Sequence, residues 1–351
     1  MRKLVTVRTI LKILPIKDAD MIEEVVVEGW SVVAQKGIHS VGDVVVYFEI
    51  DSFLPESDKR FESFMKFGMQ TFSGILGHRI KTKRLRGVYS QGIVIPLQEF
   101  PEITIAVNDT DYSEVLGVVK YERQEVTGNA GDTKGNFPWF LRKSDQERIQ
   151  NCYNTLSNSE LIDEHFVGTL KMDGSSITVF YVDGNRYDNQ GYGVCSRNQE
   201  LKVDLETTLP DQGKFLQGAI HSGLLEKAKK LHEVFGGYYA IQGELVGVGI
   251  QGNFEKFEQY EVFAYNIFDI ESQDFVSYSA FESMALEVGI QTVPVIYESD
   301  KVLQRSITEI LEMADGKGLR TKYREGIVWK QLVGGNCQFK AISNKYLSKE
   351  E

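Results

Sequence analysis

The polar segment TGNAGDTKGN, residues Thr127–Asn136, divides the sequence into two parts of different character. It contains three glycines and no large apolar side chain. This composition is typical of a connector, because glycine and short polar side chains favour turns and flexible chain. A chain of 351 residues is long enough for two domains with separate cores. We therefore expect a first domain over residues 1–126, a linker over 127–136 and a second domain over 137–351.

The first part is rich in short β-branched and aromatic runs separated by turn signals. Such runs predict β-strands, and several of them at this spacing predict a small barrel or sandwich. An OB-type barrel is the version most often used to bind nucleic acid. The predicted strands are Val25–Val27, Ser31–Ala34, Val44–Ile50, Arg79–Leu85 and Gly92–Leu97.

The second part mixes helical and strand patterns. Apolar residues at helical spacing predict helices at Ser144–Leu156, Lys214–Phe235, Ser279–Val288 and Ile307–Ala314. Strands are expected at Ser176–Val182, Tyr238–Val246, Tyr260–Ile270 and Gly326–Gln331. Antiparallel strands interrupted by a few helices indicate an α+β class. The expected fold is an N-terminal OB-type β-barrel followed by a domain of antiparallel sheets with flanking helices.

A basic strip lies within the first part, although the net charge of the chain is −11. From Ser63 to Gln98 the sequence has no Asp or Glu. The strip contains Arg79, Lys81, Lys83, Arg84 and Arg86. If Arg79–Leu85 is one strand, alternation places Arg79, Lys81 and Lys83 on the same face. Taken alone, the strip fits a track for a nucleic-acid backbone and a solvated strand edge about equally well.

The sequence GVGIQG, from Gly247 to Gly252, matches a dinucleotide-binding pattern. That pattern requires a helix to begin at the glycines, so that its N-terminus faces a pyrophosphate. Here a polar stretch follows, and the chain re-enters the strand-like run EVFAYNIFDI. The sequence therefore argues against a Rossmann site.

The segment KMDGSS begins at Lys171 and follows the apolar run Phe166–Leu170. A lysine becomes nucleophilic when burial or nearby cations lower its pKa from about 10.4. The end of a strand against a tight Asp-Gly turn could hold such an amine at the mouth of a pocket. In isolation, however, the tetrapeptide KMDG more often marks an exposed surface lysine.

The order of the segments that follow changes this interpretation. The sequence continues with CSRN around Arg197, GEL around Glu244, FDI from Phe268, EGIV from Glu325 and FKAISNKY around Lys340. This series resembles the nucleotidyltransferase motifs of the covalent polynucleotide ligases and RNA capping enzymes. The resemblance spans about residues 137–347 and preserves the order of the motifs.

The resemblance implies a role for each motif residue. Lys171 attacks the α-phosphorus of ATP and carries AMP, and Lys340 stabilises the phosphate during transfer. Arg197 contacts a phosphate or the RNA end. Nucleotide contacts are also expected from Glu244 at the ribose, Phe268 stacked on adenine and Arg148 at the outgoing pyrophosphate. Hydrated Mg²⁺ or Mn²⁺ is positioned by Asp173, Glu244 and Glu325.

Several features favour the RNA ligase branch that has an N-terminal OB domain. DNA ligases and capping enzymes generally place a barrel after the last lysine motif, whereas only eleven residues follow Lys340 here. DNA ligases commonly have an arginine at the position of Ser176. The segments RIKTKRLRGVYSQGIVIP and GELVGVGIQGN also resemble this branch, whose members seal 3′-OH and 5′-phosphate RNA ends. The expected function is ATP-dependent RNA ligation, with a GTP-dependent RNA guanylyltransferase and a non-catalytic RNA-binding protein as alternatives.

One motif departs from the family pattern. Many ligases end with two lysines as KxK, whereas Lys340 here is followed by Ala-Ile-Ser-Asn and then Lys345. The second lysine is therefore unassigned, and Lys330 in GIVWK is a possible substitute.

Composition also bears on partners and location. Cys152, Cys195 and Cys337 form no CxxC pair, so we expect free thiols in an intracellular, cytoplasmic protein. No apolar run approaches the roughly 20 residues that cross a bilayer. We expect a monomer that acts on RNA ends, with nicked duplexes among its candidate substrates.

Overall fold

A computed structural model describes residues 2–104, 110–122, 132–184, 187, 191–206 and 213–348. The chain divides into two compact units. The first unit comprises Met1–Arg123, Ile149–Thr155 and Asn344–Glu351, and the second comprises Gln124–Arg148 and Leu156–Ser343. Residues 127–131 of the expected linker lie outside the described residues, while Thr133–Asn136 form a strand of the second unit.

The first unit is an OB-type β-structure, as the sequence predicted. Its strands are β1 (Val5–Pro15), β2 (Ile22–Val27), β3 (Trp30–Gln35), β4 (Val44–Phe48), β5 (Ser52–Pro55), β6 (Gln70–Phe72), β7 (Ile75–Arg79), β8 (Lys83–Leu85), β9 (Val88–Ser90), β10 (Ile93–Pro96) and β11 (Val119–Lys120), with helix α1 at Glu62–Met65. The described strands form sheets in the orders β10-β4-β1-β2-β3 and β11-β5-β7-β6, and β8 pairs with β9 as a hairpin.

The core of this unit follows from the alternation within its strands. Val5 and Val7 of β1 are buried together with Phe48 of β4, and Phe61 and Phe100 pack against Phe48 from the connecting segments. Alternate residues of a strand point to one face, so β1 and β4 direct these side chains into one cluster, while Val45 and Tyr47 of β4 enter a second apolar cluster.

The predicted strand Arg79–Leu85 is not continuous, and this prediction was wrong. β7 ends at Arg79 and β8 begins at Lys83, with Ile80 and Thr82 buried between them. The three cations Arg79, Lys81 and Lys83 therefore do not lie on one strand, although burial alternates from Ile80 to Lys83.

The second unit contains two sheets with flanking helices. Its strands are β12 (Thr133–Asn136), β13 (Glu147–Arg148), β14 (Phe166–Lys171), β15 (Ser175–Val182), β16 (Gly191–Cys195), β17 (Gln199–Leu201), β18 (Tyr239–Val246), β19 (Glu261–Asp269), β20 (Asp274–Phe275), β21 (Val295–Asp300), β22 (Gly326–Gln331) and β23 (Gln338–Ile342). The helices after α1 are α2 (Ile149–Ser157), α3 (Lys214–His221), α4 (Leu224–Phe235), α5 (Tyr278–Val288), α6 (Ile307–Ala314) and α7 (Asn344–Leu347). Of these, α2 contributes residues to both units and α7 belongs to the first.

The strand orders in the second unit are β12-β17-β16-β15-β18-β19-β20 and β13-β23-β22-β14-β21. Nearly all neighbouring strands are antiparallel, and the short pair β13–β23 is parallel. The α+β class predicted from the sequence is confirmed. Apolar faces of α3, α4 and α5 pack on the larger sheet and form the main core.

Two predicted helices have different bounds in the structure. The predicted helix Lys214–Phe235 is interrupted, because Gly223 adopts a left-handed conformation with φ +64° between α3 and α4. The helix predicted from Ser144 begins only at Ile149, since Glu147 and Arg148 extend to pair with β23. Among the described residues, no helix has the length and apolar character needed to cross a membrane.

Candidate active site

Lys171 is the last residue of β14, and the turn after it leads directly into β15. Because β14 and β15 belong to different sheets, Lys171 lies where the chain passes from one sheet to the other. The turn depends on Gly174. A Cβ at Gly174 would lie 2.3 Å from the Leu245 carbonyl oxygen and 2.9 Å from Glu244 Cγ. The Asp-Gly turn thus holds the lysine at the junction of the two sheets.

A cavity of about 210 Å³ opens beside Lys171. Four residues that the sequence series singled out line it: Lys171, Arg197, Glu244 and Lys340. Other lining residues received no role from the sequence, among them Ser144, Gln146, Gln251, Tyr265 and Val328. Gln251 comes from the GVGIQG segment, which forms turns here and no helix. A Rossmann site at that segment is thereby excluded.

Carboxylates surround the amine of Lys171. Its Nζ donates a hydrogen bond to Glu325 Oε1 at 2.7 Å. Burial alone would lower the pKa of Lys171. The negative charges of Glu325, Glu244 and Asp173 raise it by more, so the net effect is a raised pKa. The protein alone therefore does not supply the lowered pKa that we expected of a nucleophilic lysine. A positively charged partner is needed to weaken the hold of the carboxylates on the ammonium.

The carboxylates themselves favour a bound cation. Burial raises the pKa of Glu244 to about 8 and that of Glu325 to about 7, while Lys171 opposes both shifts. Glu244 Oε1 accepts a hydrogen bond from the Gly174 amide at 3.1 Å. Glu325 Oε2 is buried, and no donor among the described residues lies within hydrogen-bond distance of it.

The donor set fits a hydrated divalent cation. Carboxylate oxygens suit Mg²⁺ and Mn²⁺. Among the described residues, however, no three His, Cys, Asp or Glu side chains approach closely enough to enclose a metal ion directly. Asp173, Glu244 and Glu325 could hold such a cation through its bound water molecules, a mode that Mg²⁺ commonly adopts.

Phe268 does not line the cavity, and the prediction that it stacks on adenine was wrong. Its side chain is fully buried. The ring packs in an apolar cluster with Phe140, and its centroid lies 5.2 Å from that of Phe275. Tyr265 presents the aromatic wall instead, and its hydroxyl lies 3.0 Å from Ser176 Oγ.

A β-bulge places Tyr265 at the cavity. Along the β18–β19 pair, Gln242 is opposite Asn266, but the next residue, Gly243, is opposite Ala264. Tyr265 is therefore an extra residue without a ladder partner. A bulge redirects the side chain of the extra residue and interrupts strict alternation. Nothing in the local composition of β19 marked the position of the bulge.

Arg197 and Lys340 both reach the cavity. Arg197 Nη2 donates to Asp145 Oδ1 at 3.0 Å, and the two side chains are 44% and 67% exposed. An ion pair this exposed contributes little, so Arg197 can exchange Asp145 for a phosphate at small cost. Lys340 lies on β23 opposite Val328 of β22. Arg148 is buried and lies in register with Lys340 across β13 and β23, and its pyrophosphate contact stays a prediction.

The two lysines considered for the second position of the closing motif differ in their surroundings. Ile342 occupies the position two residues after Lys340, where many ligases have the second lysine, and its side chain is buried. Lys330 is buried and lines the cavity. Lys345 is exposed on α7 and belongs to the first unit.

In the first unit, the residues of the basic strip fall into two groups. Arg79 is tied to the protein, because its Nη2 donates to Asp51 Oδ1 at 2.7 Å and its guanidinium lies 4.4 Å from the Tyr121 ring centroid. The exposed members are Lys81, Lys83, Arg84 and Arg86, in and beside the β8–β9 hairpin. The guanidinium of Arg84 lies over Tyr89, 5.3 Å from the ring centroid.

Comparison with known proteins gives matches to both parts of the chain. Residues 164–346 match the family described as RNA ligase, and residues 4–97 match a family described as an OB-fold domain. No curated protein matches the chain at the similarity required.

Solved structures of a Naegleria gruberi RNA ligase are similar over nearly the whole length. The structure of that ligase with PPi is 35% identical, has a TM-score of 0.87, and the match covers 99% of both chains. A lysine-to-alanine variant with ATP and Mn is 35% identical with a TM-score of 0.88, again over 99% of both chains. A lysine-to-methionine variant with AMP and Mn is also 35% identical, with a TM-score of 0.87 over 99% of both chains.

Proposed function

Because this chain belongs to the RNA ligase family, we propose that its cavity binds ATP and that Lys171 carries AMP between ATP and an RNA end. The protein is an ATP-dependent RNA ligase. The observation that carries the residue assignment is the position of Lys171, whose amine lies among three acidic side chains at the edge of the cavity.

The first chemical step forms a bond between Lys171 Nζ and the α-phosphorus of ATP. The bond from that phosphorus to the oxygen of pyrophosphate breaks, pyrophosphate leaves, and the amine loses a proton. A divalent cation held by Asp173, Glu244 and Glu325 would neutralise phosphate charge and weaken the hold of these carboxylates on the Lys171 ammonium. The 2.7 Å hydrogen bond to Glu325 holds the Lys171 amine beside the cavity in which ATP is proposed to bind.

The later steps return the amine to its starting state. The 5′-phosphate of RNA displaces Lys171 from AMP and forms a pyrophosphate linkage between AMP and the RNA. The 3′-OH of the other end then attacks the RNA phosphorus, forms the phosphodiester and releases AMP. Lys340 and Arg197 line the cavity as cations that can stabilise negative charge on the transferring phosphate.

The base of the nucleotide is held by the apolar part of the cavity. Tyr265 and Val328 line it with an aromatic ring and an aliphatic side chain. A purine gains stacking and dispersion contacts from such walls. Tyr265 therefore takes the role that the sequence motif gave to Phe268.

RNA is proposed to contact the first unit through its exposed cations. Lys81, Lys83, Arg84 and Arg86 lie in and beside the β8–β9 hairpin and face solvent, whereas Arg79 is paired with Asp51. Exposed cations of this kind bind phosphates without reading sequence. We include nicked duplexes among the substrates, because phosphate contacts from the hairpin do not depend on whether the RNA is single-stranded or paired.

The cysteines bear on where the protein works in the cell. The free thiols of Cys152, Cys195 and Cys337 suit a reducing compartment, which supports a cytoplasmic location. We also propose that the chain acts as a monomer, which sedimentation at working concentration would check.

Incubation with radiolabelled ATP or GTP and Mg²⁺ tests the function directly. Label from ATP should remain on the protein through denaturation, and Lys171→Ala should carry none. Lys230→Ala, on the exposed surface of α4, serves as the lysine control and should keep the covalent product. Label from GTP alone would favour a guanylyltransferase, and label that survives Lys171→Ala would overturn the assignment of the nucleophile.

A further inference from the structure

Lys330 is a buried amine at the back of the cavity. It lies on β22 and is 2% exposed. Its Nζ lies 5.8, 5.9 and 5.3 Å from the ring centroids of Tyr265, Tyr278 and Phe281. Burial lowers its pKa to about 7. Burying an amine is costly unless its hydrogens are bonded, so its acceptors indicate what it does.

Those acceptors belong to the bulge of β19. Lys330 Nζ donates to the Tyr265 carbonyl oxygen and, at 3.0 Å, to Asn266 Oδ1. The extra residue of a bulge lies outside the regular ladder, and Tyr265 is that residue. Its phenol is held separately, because the hydroxyl lies 3.0 Å from Ser176 Oγ. Lys330 and Ser176 thus fix Tyr265 at its backbone and at the tip of its side chain.

A second connection leads from Lys330 to another wall of the cavity. Asn266 Nδ2 donates to Ser144 Oγ at 2.9 Å. Gln146 Nε2 donates to the same oxygen at 2.7 Å. Ser144 and Gln146 both line the cavity. The amine therefore connects two cavity walls that come from different parts of the chain.

We infer that Lys330 is a positioning residue for nucleotide binding, which holds the bulge so that Tyr265 and Ser144 form the walls of the cavity. This inference rests on the proposed function, because it takes the cavity as the site of ATP. It gives Lys330 a role other than that of a second phosphate-binding lysine, since its amine bonds a backbone carbonyl and an amide oxygen.

The substitution Lys330→Met tests this role, because methionine keeps much of the side-chain length and removes the donor. KM for ATP and the maximal rate should be measured for formation of the Lys171 adenylate, together with the melting temperature. We expect KM to rise about 10-fold, because the substitution removes both hydrogen bonds of the amine to the bulge. The maximal rate should change less than KM. Gln331→Leu, at the next residue of β22, is the matched control and should leave KM unchanged.

A double-mutant cycle with Tyr265→Ala separates positioning from a general structural role. If Lys330 acts through Tyr265, the double variant should have a KM close to that of Tyr265→Ala alone. Lys330→Gln restores a neutral donor and should recover part of the affinity. Additive effects of the two substitutions, or an unchanged KM in Lys330→Met, would overturn the inference. Failure of the wild-type chain to form any adenylate would instead overturn the proposed function.

Discussion

Two charged regions of the molecule differ in burial. The carboxylates around Lys171 in the second unit are partly buried, whereas the basic side chains of the β8–β9 hairpin in the first unit are exposed. Around Lys171, three carboxylates share a partly enclosed space, and burial raises the pKa of Glu244 and Glu325. Around the β8–β9 hairpin, Lys81, Lys83 and Arg84 are exposed to solvent. Both regions are expected to bind phosphate groups, yet they do so under different physical conditions.

This difference indicates how the work is divided. Charges in a partly dehydrated cavity interact strongly and over short distances, so the loss of one group should change the rate of chemistry. Exposed charges are screened by salt and act together, so each should contribute modestly to affinity. Substitutions in the two units should therefore differ in size and in salt dependence.

The largest effect is expected from Glu325→Gln, which keeps the shape of the side chain and removes its charge. We expect adenylate formation to slow about 10²–10³-fold, because one well-placed charged group commonly contributes that much. Quenched time courses with labelled ATP would measure it. Glu312→Gln on the exposed surface of α6 is the control. A near-normal rate in Glu325→Gln would show that this carboxylate is structural.

Tyr265→Ala and Phe268→Ala compare two aromatics of the same strand. Phe268→Ala should lower the free energy of unfolding by about 3–5 kcal/mol, since it empties a buried site. Tyr265→Ala should cost less stability but raise KM for ATP about 10-fold, because stacking on the base is removed. Chemical denaturation and adenylation kinetics distinguish them. The reverse pattern would return the stacking role to Phe268.

Stability should depend on pH through Lys330. Its pKa is about 7 in the folded protein and about 10.4 in the unfolded chain, so the unfolded state binds more protons between these values. The folded state should therefore gain about 1.4 kcal/mol per pH unit from this group as pH rises from 7 to 10. The difference in unfolding free energy between wild type and Lys330→Met should follow that slope. Lys81→Met is the exposed-lysine control, and a flat difference for Lys330→Met would contradict the buried-amine description.

The smallest effect per residue is expected in the hairpin. Replacement of Lys81, Lys83, Arg84 and Arg86 by alanine should weaken the salt dependence of RNA binding. The slope of log K against log salt concentration should flatten by about 0.7–0.9 for each RNA phosphate that is no longer neutralised. Adenylate formation should be unchanged, which separates the hairpin from the cavity. Arg79→Ala is a contrasting variant, because it breaks the pair with Asp51 and should mainly affect stability. If the fourfold variant fails to form the adenylate while folded, the proposed division of roles is wrong.

The sequence identified the parts of the site that depend on short, contiguous motifs. Lys171 and Gly174 lie at the two ends of one turn. Glu244 lies on the neighbouring strand β18, opposite Ser176 of β15. Their roles were assigned from the order of these motifs, through the resemblance to the covalent ligases. The fold class was also readable, since periodicity and turn residues distinguish strands from helices.

Other features depended on pairing between distant segments. The bulge at Tyr265 arises from the pairing of β18 with β19, which the motif that pointed to Phe268 does not show. The strand β7 ends at Arg79, where its pairing with β5 ends at Phe53. The raised pKa of Lys171 comes from Glu325, 154 residues later in the chain. Composition and spacing carry no information about such pairings.

Mass spectrometry of the peptide that contains Lys171, after incubation with ATP and Mg²⁺, tests the central claim most directly. One adenylate should be found on Lys171 Nζ, and added pyrophosphate should remove it by reversing the first step. Adenylate on Lys330 or Lys340, or a modified Lys171 that pyrophosphate does not reverse, would contradict the account.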